Sequence, residues 1–153
     1  MKYYKCNYCG RIFKSESTPD IPHNCNHGFR KRYLEFTEAR ILDLPLKACW
    51  YNMIESGEKK EEYREIKTYW QNRLMACYQH GFCRHRKCNE CIDIPWLSVD
   101  KHFDVVRFRY GYTKRTMLFM INGISIGIGK SEWGAPNYPV FCIKLGKIIE
   151  RWN

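Results

Sequence analysis

Seven of the nine cysteines in this chain fall into two groups, Cys6, Cys9 and Cys25 near the start and Cys77, Cys83, Cys88 and Cys91 near the middle, while Cys49 and Cys142 stand apart. Thiolates at such spacing hold Zn²⁺, because the tight turn of a CxxC knuckle places both sulfurs on one ion. In YKCNYCGRIF the knuckle is Cys6 and Cys9, and IPHNCNH downstream supplies His23, Cys25 and His27. Thirteen residues separate Cys9 from His23 and three separate the histidines. The expected first ligand set is Cys6, Cys9, His23 and His27, with Cys25 in place of one histidine as the alternative. In CYQHGFCRHRKCNEC the knuckle is Cys88 and Cys91. Cys77 and Cys83 complete a thiolate-rich set of the closed structural kind, with His80 the alternative for the fourth place. One zinc ion is expected, and a second if this compressed cluster also fills.

The other stretch able to do chemistry is GEKKEEYREIKTYWQNRL, residues 57 to 74, where a lysine pair, two glutamates and an arginine precede the apolar spacing of Tyr63, Ile66, Trp70 and Leu74. A solvated helix start looks like this, and so does the lip of a charged pocket. In an extended segment Glu62 and Arg64 share a face. Lys59 and Glu62 together supply groups that can pass a proton or hold each other's geometry. On a solvated surface the same charges would form ion pairs worth little.

These residues need elements to position them. At 153 residues the chain allows one core of ordinary size plus a small metal-stapled appendage. The division expected is a zinc-finger-like segment at 1–36 and a main domain at 37–153 with a cysteine-rich insertion at 77–91. A net charge of +10 with 16% aromatic residues suits a polyanionic partner more than a neutral metabolite. The excess is partly concentrated around the cysteines: residues 1–36 hold seven Lys/Arg against three Asp/Glu, and residues 77–115 hold eight against four. MKYYKCNYCG has no apolar core or small-residue cleavage site of a secretory signal, and no run approaches the roughly 18 apolar residues of a membrane span. A reducing cytoplasm, no membrane partner, and cysteines that are thiols or metal ligands are therefore expected.

LPLKACWYNMIESG repeats apolar residues at three and four from near Leu46, which predicts a helix that Gly57 ends in the left-handed region. ARILDL before it is a short candidate strand, and a second helix is expected over 65–76. FDVVRFRYGY alternates as a strand, with Val106, Phe108 and Tyr110 on one face and Arg107 and Arg109 on the other. Asn122 and Gly123 lie between two apolar runs, the strongest short hairpin signal. A strand over 140–145 and a turn at Gly146 follow. The reading is an α+β chain with an antiparallel, barrel-like sheet.

Taken in order, LPLK at 44–47, GEKKEEYRE with its GxKxxExR pattern at Gly57, Lys59, Glu62 and Arg64, YWQNRL, VVRFRYGYT, WGAP and VFCIKLG resemble the ASCH domain family, a branch of the PUA-like β-barrel superfold associated with RNA binding. The resemblance spans about residues 38–149, and the cysteine clusters lie outside or inserted into it; the first of them resembles a two-Cys two-His zinc finger, although Pro19 and Pro22 stand where that finger's helix would run. It implies a charged cleft in which Lys47, Lys59, Glu62 and Arg64 bind the ligand, RNA, another single-stranded nucleic acid or a nucleotide. Some members are amidohydrolases acting on acetylated cytidine with a lysine and a threonine in this motif, and others are ribonucleases. Lys59 matches the lysine, whereas Glu62 stands at the threonine's place. The alternative implied is thus a small hydrolase with Lys59 and Glu62 as its acid–base pair. No Ser-His-Asp set or phosphate-cradling glycine loop points to other catalysis.

Overall fold

A computed structural model of the chain describes residues 1–7, 9–18, 36–75 and 103–153. The expected metal ligands His23, Cys25, His27, Cys77, His80, Cys83, Cys88 and Cys91 lie outside them. The elements run β1 (Lys2–Cys6), β2 (Ile12–Ser15), β3 (Phe36–Glu38), β4 (Ile41–Leu46), α1 (Ala48–Glu55), β5 (Glu61–Arg64), α2 (Thr68–Leu74), β6 (Val105–Tyr110), β7 (Thr116–Gly127) and β8 (Val140–Trp152). The class is α+β. No helix among the described residues is long and apolar enough to cross a membrane.

The main sheet has the order β4-β6-β7-β8-β5. Its pairs are antiparallel except one: β4 runs parallel to β6, from Ile41 beside Val105 to Leu46 beside Tyr110. This departs from the all-antiparallel expectation. A parallel neighbour requires a long crossover, which the chain between Leu46 and Val105 provides. Among the described residues the pairing ends at β4 and β5, and no ladder closes it into a barrel. The core lies against one face, where Leu42, Leu44, Val106, Phe108, Phe141 and Ile143 from the strands meet Tyr51 and Ile54 of α1 and Leu74 of α2. Gly57 has φ +82° and follows α1 as its spacing predicts. Arg115 clamps that end of α1 to the β6–β7 turn, with bonds of 2.8 and 2.7 Å to Glu55 and its guanidinium 5.3 Å from the rings of both Tyr51 and Tyr110.

Two expected turns are absent. β7 passes straight through Asn122 and Gly123, neither of which has positive φ. Residues on both sides, Thr116–Phe119 and Ile121 before and Gly123–Gly127 after, pair with β8, so Asn122 is the extra residue of a bulge between the pairs Ile121–Leu145 and Gly123–Lys144. Burying Phe119 and Ile124 in one core outweighs the local preference for a type I′ turn. Gly146 likewise lies within β8; a Cβ there would sit 2.3 Å from the Asn122 side-chain oxygen. The true β7–β8 connection is the loop 128–139, with a 3₁₀ turn at Ser131–Trp133.

The first residues form a second sheet, β2-β1-β3, in which Tyr4 pairs with Phe13 on one side and with Glu38 on the other. It covers the far face of the main sheet, where Tyr3 and Ala39 are buried with Val105 and Leu118. Charges frame that seam. Lys5 reaches Asp104 at 2.6 Å, and both Lys14 and the Tyr3 hydroxyl donate to Glu150.

A candidate tryptophan-walled cleft

The run after Gly57 divides into an extended lead, the strand β5 and then α2, so Glu61–Arg64 belongs to no helix. Tyr63, facing one way, packs with Trp133, Ala135 and Val140. Glu62 and Arg64 share a face as expected, and Arg64 Nη1 bonds both Glu62 and the carbonyl of Tyr63. Lys59 lies in the lead; its backbone N–H is tied to the Met53 carbonyl at 2.9 Å, which fixes where its side chain begins.

That side chain turns inward. Lys59 and Glu62 are each only 3% exposed. The Lys59 ammonium donates to the backbone carbonyl of Trp133, lies 3.0 Å from Glu62 Oε2, and sits 4.8 and 4.9 Å from the ring centres of Trp50 and Tyr63. Carbonyl, carboxylate and ring faces replace the water that a buried ammonium loses. Glu62 Oε1 is held by Arg64. Glu62 Oε2 has the nearby charge of Lys59 but no hydrogen bond of good geometry, and it is fully buried.

The pair forms the floor of a cleft of about 420 Å³, with Arg64 beside it and Lys47 exposed at its rim. All four ligand residues expected from the sequence therefore line one concavity. Its walls are Trp50 of α1, Trp70 of α2 and Trp133 of the 128–139 loop. Arg64 stacks over Trp70 with its guanidinium carbon 5.3 Å from the ring centre. Gly134 lets the loop reach Trp50: it has φ +85°, and a Cβ there would come within 2.6 Å of the Trp50 ring. As walls they are not legible in the sequence, where Trp50 and Trp70 read as apolar helix positions and Trp133 falls in a loop. Their signal was present, since Trp70 and Trp133 lie in the YWQNRL and WGAP segments and Trp50 is one residue from the buried Tyr51.

The hydroxyl of Tyr63 donates to Glu61 at 3.1 Å and accepts from the backbone N–H of Lys130. Burial pushes this phenol up to about 12, so it remains a neutral strut through ordinary pH. Cys142, behind the same strand, is a buried thiol raised chiefly by burial. Among the described residues no group of three or more Cys, His, Asp or Glu gathers at a metal-binding distance. Cys6 and Cys9 do lie at the β1–β2 turn, closed by bonds of 2.9 Å from Gly10 N–H to the Cys6 carbonyl and from Cys6 N–H to the Arg11 carbonyl. Comparison with models of known protein families, with curated proteins and with solved structures finds no match to this chain.

Proposed function

We propose that this cleft binds single-stranded nucleic acid, RNA foremost, one nucleotide unit at a time between its tryptophans. The carrying observation is the row Lys59–Glu62–Arg64 along an aromatic cleft, with a buried carboxylate oxygen that meets Lys59 as a charge at 3.0 Å but forms no well-aligned hydrogen bond. A ligand suited to it needs a flat ring, N–H groups to give to Glu62, and an anion for Arg64 and Lys47. A nucleotide combines the three, since bases stack on indole, carry N–H edges and bring a phosphate. The charge of +10 supports the same partner. This agrees with an ASCH-type, PUA-like domain, which we propose as the family.

The hydrolase alternative needs Lys59 or Glu62 to exchange a proton with a bound substrate. Lys59 meets that poorly, because its ammonium is occupied by a carbonyl, a carboxylate and two rings. Its role in this reading is to position Glu62, while Glu62 and Arg64 meet the ligand.

Structural zinc belongs to the proposal. Cys6 and Cys9 across a tight hairpin turn suit a knuckle, and they would supply two thiolates to an ion completed from His23, Cys25 and His27; Cys77, Cys83, Cys88 and Cys91 would form a second site. Such zinc would staple segments with little core of their own, in a reducing compartment such as the cytoplasm.

The test is fluorescence anisotropy with labelled single-stranded RNA and DNA at low and moderate salt. Binding that weakens as salt rises and drops about tenfold or more in Arg64→Ala is expected. No binding to either polymer at low salt would overturn the proposal.

A further inference from the structure

The cleft does not end at Arg64. A second hollow of about 320 Å³ adjoins it, and Tyr63, Arg64 and Gly134 line both. Its outer wall is Pro136 and Tyr138, and Tyr138 is 47% exposed with its hydroxyl 3.2 Å from Glu65. Glu65 is the carboxylate of this hollow, and Lys67 and Tyr138 already answer its charge.

Arg64 stands at the junction. Its two bonds both use Nη1, and its plane rests over Trp70. Nε and Nη2 have no hydrogen-bond partner among the described residues, which leaves a fixed guanidinium with donors to spare between two chambers. Each chamber is near the lower end of small-ligand pocket size, with room for about one nucleotide unit.

We infer that the cleft takes two consecutive nucleotides of a single strand, one in each hollow, with the linking phosphodiester on Arg64. The inference rests on the nucleotide reading above. The phosphodiester is the anion of a strand that recurs between neighbouring units, and Arg64 is the cation common to both hollows. Tyr138 offers the second base a ring face, a contact that tolerates any base. A lone mononucleotide would leave the second hollow and part of the guanidinium unused.

The test is titration of the full chain's tryptophan fluorescence, which Trp50, Trp70 and Trp133 make sensitive to the first hollow. The ligands are a nucleoside 5′-monophosphate and the dinucleotide of the same base, in ribo and deoxyribo form. The dinucleotide should bind about tenfold tighter or more, and Tyr138→Ala should bring the ratio of the two affinities towards one. Lys60→Ala, an exposed change outside both hollows, should keep the ratio. Equal affinities in the unaltered protein, or an advantage that survives Tyr138→Ala, would overturn the two-unit cleft while leaving the nucleotide reading in place. Failure of mononucleotide, dinucleotide and longer strand alike would overturn the nucleotide reading itself.

Discussion

Lys59 Nζ stands 3.0 Å from Glu62 Oε2, and the two side chains are 3% and 4% exposed. Only two residues of chain separate a cation from an anion that are both out of water. Such a pair is costly to form, and costlier to break by removing one member, because the survivor is left as an uncompensated buried charge. Lys59→Ala should therefore destabilise the protein by about 3–5 kcal/mol, while its exposed neighbour Lys60→Ala should stay within about 0.5 kcal/mol of the parent. Urea unfolding of the two variants checks this. The double variant Lys59→Met, Glu62→Leu should recover much of the loss but bind no nucleic acid. A Lys59→Ala protein as stable as Lys60→Ala would mean that the pair is solvated.

Arg64 is partly exposed, and Glu62 keeps Lys59 when it is removed. Arg64→Ala should thus lower affinity for single strands about tenfold or more with a smaller change in stability. Arg64→Lys should not restore it, since an ammonium cannot stack on Trp70 while bonding both Glu62 and a phosphate. Anisotropy titrations beside thermal melts separate the two effects.

Gly134→Ala should harm both fold and cleft. The residue would be strained at φ +85°, at about 1–3 kcal/mol, and its methyl would collide with Trp50. A lowered melting temperature with a shifted tryptophan emission is the expected result. An unchanged emission spectrum would place the loop farther from Trp50.

The seam between the two sheets should respond to acid. Burial alone would raise the Glu150 carboxyl, but hydrogen bonds from Lys14 and Tyr3 outweigh it and hold the group below the usual carboxylate range. A carboxyl lowered by folding contributes stability above its unfolded pKa, about 4.3, and loses it as pH falls through the lower folded value. Amide exchange in β1 and β2 should accelerate across that window, and Glu150→Gln should flatten the dependence. Tyr3, raised chiefly by burial, should stay protonated as pH passes 10.

Elemental analysis of protein expressed with ample metal should find roughly one to two zinc ions per chain. Cys6→Ser should lower that content and loosen β1 and β2, yet leave the main sheet folded on its own core. A value near zero in the parent protein would remove both zinc sites.

Local pattern is enough for some of these elements. Helix α1 and its glycine end follow from three- and four-residue spacing, and the alternation of β6 follows from Val106 and Phe108 against Arg107 and Arg109; Lys59, Glu62 and Arg64 were pointed to by the family resemblance, and they line one concavity. Other features depend on contacts made across the chain. Asn122 and Gly123 carry a turn preference worth little against the pairing of ten of the twelve β7 residues with β8. The parallel register of β4 depends on a strand about sixty positions away. The resemblance implied Lys59 as a ligand group, yet its ammonium is sealed by the carbonyl of Trp133, seventy-four positions on. Burial is a property of what arrives from elsewhere in the chain, so a charged run reads the same on a wet surface and on a buried floor until the loop that covers it is in place.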